Sequence, residues 1–416
     1  MSDAHYDVLI AGGGPVGLCF AAMLRDLDLR VGLVEPQQQA ALAEAPYDGR
    51  EIALTLKSMA ILRAADVWRR LPREEIATLR GARIYNGDSL RSLDLQAPNG
   101  APQIGSLVSN HWLRRAAYEA ARSNATLRWL NGTQVTEISA APGLAQVRLE
   151  DGRRLTARLV VAADSRFSAT RRALGIAARM RDFGKSMLVC RMSHEVEQHG
   201  IAWEWFGHHQ TLALLPLAER LSSVVLTLPS AQVRRLQELP GEAFERELEE
   251  RFQRRLGRMQ LRSERFAYPL VAVYPSRFIA ERYAVIGDAA VGMHPVTAHG
   301  FNFGLSGQSL LARLIGRARQ AGQDIGDESV LRRYERAHRR ATLPLYLATN
   351  AVVRLYTDES APGRLAREAL LRLAHRLPPV GSALSRLLMQ GERTPFRPFT
   401  GGRSGAIDHV FRRSVS

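Results

Sequence analysis

Apolar runs without alternation open this chain. Tyr6 to Ile10 alternates little and, Asp7 apart, is β-branched or apolar, the pattern of a strand covered on both faces in a parallel sheet. A turn follows over Ala11 to Gly17, then a helical pattern over Leu18 to Asp26, then a second strand, Arg30 to Val34, ending at Glu35. Two later strands also end in acids, one running from Arg158 to Asp164 and one from Tyr283 to Asp288. Helices are predicted over Leu56 to Ala64 and from about Asn302 to Ala318. Between Phe183 and Leu270 the period shifts to two. Met187 to Met192, Ala202 to Phe206, Thr211 to Leu217 and Ser222 to Leu228 read as strands of a mixed sheet. From about Leu331 the chain becomes helical and basic, over Glu335 to Tyr356 (interrupted at Pro344), Arg364 to Leu377 and Ser382 to Met389. The fold class read from this order is α/β, with an inserted mixed β-sheet domain and a C-terminal helical region.

The first turn carries candidate chemistry. Gly12, Gly14 and Gly17 have the G-x-G-x-x-G spacing between a strand and a helix, and Glu35 ends the next strand. In such a unit the first glycine permits the tight turn and the second lets backbone approach a pyrophosphate. The third lets the helix pack on the strand. The helix N-terminus, with Pro15 and Val16, offers free N–H groups and partial positive charge to phosphates. Glu35 is placed to accept from a ribose hydroxyl. On this motif alone the ligand is NAD or FAD.

Composition narrows the field less than the motif does. The 416 residues include 57 basic ones, of which only Lys57 and Lys185 are lysines, and the net charge is +16. Such a lopsided ratio reflects compositional bias, and no nucleic-acid-binding module is present. The two cysteines, Cys19 and Cys190, make neither a disulfide framework nor a zinc site, so no metal is expected. No run of about 18 apolar residues suggests a membrane span. The N-terminus lacks the positive region of a signal peptide, so the expected location is cytoplasmic.

Taken with the downstream motifs, the chain resembles the FAD-dependent aromatic hydroxylases, the single-component flavoprotein monooxygenases. The resemblance is strongest to the branch that hydroxylates ubiquinone precursors. Asp48, Arg50, Ala53, Leu54 and Ser58 follow that family's D-x-R-x-x-A-L-x-x-x-S run. Asp164, Ser168 and Arg171 fit its second motif, with Ser165 replacing the usual glycine. Gly287, Asp288, Pro295, Gly300, Asn302 and Gly304 fit its third, with His299 where glutamine is frequent. The resemblance implies FAD held by Gly12, Gly14, Pro15, Val16, Gly17, Glu35, Arg50, Asn110, Val135, Asp164, Gly287, Asp288, Pro295, Gly300, Phe301 and Asn302. His294 and His299 are candidates for contact with the phenol or the flavin edge. Trp203, Trp205, Phe206 and Leu214 to Leu217 are candidate lining of a dry cavity, with plain sheet core as the alternative for each.

The same resemblance implies a Rossmann-like FAD domain over 1–80, 106–180 and 273–330. Substrate-domain strands fall at 81–105 and 181–272, C-terminal helices at 331–393 and a tail at 394–416. It also implies a reaction. NAD(P)H-reduced flavin and O2 form a C4a-hydroperoxide that hydroxylates a lipophilic phenol in ubiquinone biosynthesis. Alternatives on the same fold are a flavin-dependent reductase or halogenase, or a non-catalytic FAD-binding scaffold. The basic helix with Leu365, Ala369, Leu373 and Leu377 on one face is a candidate membrane or partner contact, with packing on its own FAD domain as the commoner alternative; a membrane contact would place the protein peripherally at the inner membrane.

Overall fold

The strand Ala4–Ala11 carries Val8, Leu9 and Ile10 with no exposed surface, so it needs neighbours on both edges and cover on both faces. In the computed structural model it pairs in parallel with Val31–Glu35 on one edge and Arg154–Ala162 on the other. Leu127–Asn131 and Tyr283–Val285 extend the parallel run outward. The helix Pro15–Met23 packs against both Asn110–Arg122 and Gly300–Gln320 over this sheet. The structure describes residues 4–86, 92–97, 101–207, 210–294 and 299–357.

A second sheet is antiparallel except for one pair. Its order is Met259–Leu261, Ala178–His194, Leu221–Pro229, Gln210–Ala218, Ile201–Gly207, Gly81–Asn86 and Ser92–Gln96, with Phe266–Pro275 also on Ala178–His194. The parallel pair is Ile201–Gly207 with Gly81–Asn86, so the sheet is mixed. Strict alternation divides its residues between two faces. One face buries Leu188, Cys190, Trp205, Leu212, Leu214, Val224 and Leu226 against the helices Ser230–Glu238 and Gly241–Arg251. Trp203 packs on this same cluster, so Trp203, Trp205 and Leu214 are sheet core and not cavity lining. The opposite face is turned toward the first sheet.

A small sheet of Glu51–Thr55, Gly105–Ser109 and Ile76–Leu79 joins the two layers. At the C-terminal side, Glu328–Thr357 is one continuous helix that runs through Pro344. Tyr334 donates to the Val285 carbonyl at 2.6 Å, and Tyr334, His338 and Thr342 are buried. The expected segments 364–377 and 382–389, the tail at 394–416 and Pro295 lie outside the described residues.

Candidate active site: a cavity between the two sheets

A cavity of about 780 Å³ lies between the carboxyl edge of the parallel sheet and the free face of the second sheet. Open α/β sheets bind ligands beyond the carboxyl ends of their strands. Gly12, Gly13, Gly14, Pro15, Val16 and Glu35 come from the first two strands and the turn between them; Ala163, Asp164, Gly287 and Asp288 come from the ends of the other two.

The glycines of the turn have different jobs. Gly12 has a φ of +108°, where a side chain is strained, and a Cβ on Gly17 would collide with the Gly12 carbonyl. These two are needed for the fold itself. Gly14 is different. Its φ of −67° suits any residue, and a Cβ there would meet no atom of the described residues within 4 Å. A Cβ on Gly300 likewise would meet no atom of the described residues. Both line the cavity, and both stand at the N-terminal end of a helix whose first turn has no side-chain cap. Two helix N-termini therefore open onto one space that is shaped for close backbone approach by an anionic or electron-rich group.

Glu35 has a second task. Its carboxylate accepts from the Gly13 N–H at 2.6 Å and the Gln37 N–H at 3.1 Å, bracing the turn it faces. Across the cavity, Arg50 donates to Asp48 at 2.6 Å and its guanidinium lies over the Tyr268 ring at 5.1 Å. Asn110 donates to the same Asp48 oxygen at 2.7 Å. Burial would raise the Asp48 carboxyl, but the charge and hydrogen bonds of Arg50, with Asn110, outweigh it and hold it below the usual range. Arg50 and Asn110 both line the cavity.

Asp164 accepts from the Thr170 backbone and hydroxyl at 3.0 and 2.9 Å, which leaves its Oδ1 without a hydrogen-bond partner beside the cavity. Ser168 caps the short helix Ala169–Ala173 by accepting from the Arg171 N–H. Ser165 has a φ of +76°, so the position demands the left-handed backbone that a glycine adopts freely. Asp288 accepts from Arg166 at 3.0 Å, an ion pair that lines the cavity and was not anticipated from sequence.

Several sequence-based candidates lie elsewhere. Asn302 is buried behind the wall, donating to the Ala53 carbonyl and accepting from the Thr55 N–H, so it stitches Gly300–Gln320 to Glu51–Thr55. Val135 is buried in the first sheet's core. Neither His294 nor His299 lines the cavity, and both are buried. His294 sits edge-on to Phe183 at 4.9 Å; burial, then Lys185 and Arg181, push its pKa down to about 4, so it is neutral at pH 7. His299 is the N-cap residue of Gly300–Gln320, and its carbonyl accepts from Phe303 at 2.9 Å.

The opposite wall comes from the second sheet: Met187, Val189, Glu204, Thr211, Ala213, Leu215, Val225 and Thr227. Of these, Glu204 is the chemically unexpected one, an acid among apolar and hydroxyl side chains. The only signal for it in the sequence is its place between Trp203 and Trp205, where alternation turns it away from the aromatic face. A second missed acid, Glu51, accepts from Arg191 at 2.8 Å and from Ser109 at 2.7 Å, clamping the small sheet to the strand Ala178–His194.

A family model described as FAD binding domain matches residues 5–343. Among curated proteins, ubiquinone hydroxylase UbiM of Neisseria meningitidis is 44% identical over 92% of this chain and 84% of its own length. Ubiquinone hydroxylase UbiL of Rhodospirillum rubrum is 34% identical over 94% of this chain and 90% of its own. Among solved structures, p-nitrophenol 4-monooxygenase PnpA of Pseudomonas putida aligns with a TM-score of 0.75, covering 94% of this chain and all of that one. At 18% identity it bears on the fold alone. With the family match spanning most of its length, this chain belongs to the FAD-dependent aromatic hydroxylases, in the branch that contains the ubiquinone hydroxylases.

Proposed function

We propose that this protein is an FAD- and NAD(P)H-dependent monooxygenase that uses O2 to hydroxylate the aromatic ring of a lipophilic, polyprenylated phenol in ubiquinone biosynthesis. One observation carries this reading: a single cavity has two unlike walls, one of glycines and helix N-termini, the other of apolar strand residues. The first wall suits a dinucleotide. Gly14 and the N-terminus of Pro15–Met23 would take the pyrophosphate, Glu35 a ribose hydroxyl, Asp288 the hydroxyl-rich chain, and Gly300 with Phe301 the ring edge. Bound FAD supplies the redox chemistry that activates O2. The sheet wall excludes water from the reacting atoms and offers an aromatic ring an apolar surface. On this reading, residues 81–105 and 181–272 form the substrate side, and 1–80, 106–180 and 273–330 the cofactor side.

The substrate class rests on the relatives, two ubiquinone hydroxylases that align along nearly the whole chain. Among the described residues no helix is long and apolar enough to cross a membrane. A polyprenyl tail resides in the bilayer, and a net charge of +16 favours its anionic cytoplasmic face, so binding at the surface of the inner membrane belongs to the same proposal. The test is consumption of O2 and NAD(P)H by flavin-loaded protein, with and without a prenylated phenol, alongside mass analysis of the product. Phenol-dependent oxidation yielding a hydroxylated ring is expected. Oxidation that yields only peroxide with every phenol would contradict the reading.

A further inference from the structure

The free face of the second sheet is ordered by its register into rows. Glu204 pairs with Ala213, Ala213 with Val225, and Val225 with Val189. All four line the cavity, so they form one cross-sheet row. Strands lie about 4.8 Å apart, so the three pairings span roughly 14 Å, the width of a substituted ring and the start of its side chain. The next row on the same face holds Thr211, Thr227 and Met187, and the row on the other side holds Leu215 and Arg191. Glu204 therefore stands at one end of a flat apolar strip and supplies its only ionisable group.

Its carboxyl makes no hydrogen bond or ion pair with any described residue, although every other acid lining the cavity has such a partner. Nor does the strip carry a cation. Arg191, one row away, is bound by Glu51 at 2.8 Å. Burial alone pushes the Glu204 carboxyl up to about 8, so at neutral pH it bears a proton and can donate to an oxygen as well as accept from a hydroxyl. An unpartnered acid in apolar surroundings costs stability, and the fold does not use it.

We propose that Glu204 is the substrate-binding residue that selects a neutral phenol: it hydrogen-bonds the ring hydroxyl while the ring lies over Ala213 and Val225. This deepens the proposed function and rests on it for the choice of a phenol. A site built to bond a hydroxyl rejects an analogue lacking it far more strongly than an apolar pocket does, because the buried polar group is then left unpaired.

The experiment is a binding titration of the FAD-loaded protein with an ortho-alkylphenol and with the alkylbenzene that lacks only its hydroxyl, followed by the visible spectrum of the flavin. The wild type is expected to prefer the phenol by about tenfold or more. Glu204→Leu is expected to bind both compounds with a preference below about twofold, through loss of phenol affinity and gain of alkylbenzene affinity. Glu204→Gln, which still donates and accepts, keeps part of the preference. FAD content and melting temperature check the fold of each variant, and the Leu variant should melt no lower than the wild type. A wild type without preference, or a Leu variant that retains it, overturns the proposal. Because binding and turnover are read separately, a protein that shows the Glu204-dependent preference but hydroxylates no phenol refutes the enzymatic reading and leaves the assignment of Glu204 standing.

Discussion

The glycine wall of the cavity is made of backbone, and the sheet wall is made of side chains. In the first, absent side chains create the site: Gly14 and Gly300 leave room that no atom of the described residues fills. In the second, present side chains create it, every other residue along adjacent strands projecting into one apolar floor. A wall built from backbone accepts one invariant partner closely and tolerates no added atom. A wall built from side chains can be retuned one residue at a time without disturbing the sheet that carries it. On the proposed function, cofactor binding and substrate choice fall to parts of the molecule that can change independently.

The comparison breaks most visibly at two glycines three residues apart. Gly17→Val should prevent folding, because its Cβ would collide with the Gly12 carbonyl; circular dichroism of the purified or refolded chain reads this directly. Gly14→Val should leave the apoprotein's melting curve unchanged yet weaken FAD binding by at least about a hundredfold, or roughly 3 kcal/mol. Equal effects of the two substitutions would erase the distinction between fold glycine and ligand glycine.

Next in size is the clamp between the walls. Glu51 is almost wholly buried, its side chain 1% exposed, and is held by Arg191 and Ser109. Glu51→Ala strands a partly buried guanidinium and should cost about 3 kcal/mol in urea unfolding.

A smaller effect concerns Glu204 and pH. Its carboxyl sits near 8 in the folded protein against an ordinary 4.5. The folded state thus keeps a proton that the unfolded chain has released. The stability contributed is complete below the ordinary value and is lost as pH rises through the folded one. Glu204→Gln cannot ionise, so the fall in apoprotein stability between about pH 5 and pH 8 should be shallower by up to one proton's slope, roughly 1.4 kcal/mol per unit. An unchanged slope would mean the carboxyl is already ionised. Smallest is Ser165→Gly, which relieves a φ of +76° and should stabilise the protein by about 0.5–1 kcal/mol in the same assay.

The two walls also differ in how far the sequence exposes them. Gly12, Gly14, Gly17, Glu35, Arg50 and Asp288 belong to contiguous motifs, in which local spacing alone dictates the geometry, and the structure brings five of these six to one cavity, with Gly17 packed behind it. Glu204, Val225 and Thr227 come together only through strand register, which depends on pairings between distant segments. Trp203 and Trp205 are candidate lining or sheet core on sequence alone, and alternation sends them to the helix-covered face. His294 and His299 illustrate the same limit: a loop position near the site says nothing about which way a side chain is buried.

The most direct test of a shared cavity is sequential titration of the apoprotein, first with FAD and then with an ortho-alkylphenol, watching flavin absorbance. The two-walled site predicts uptake of one FAD per chain, followed by a saturable shift of the bound flavin's spectrum as the phenol enters beside it. Failure to take up flavin, or phenol binding that leaves that spectrum unmoved, would contradict it.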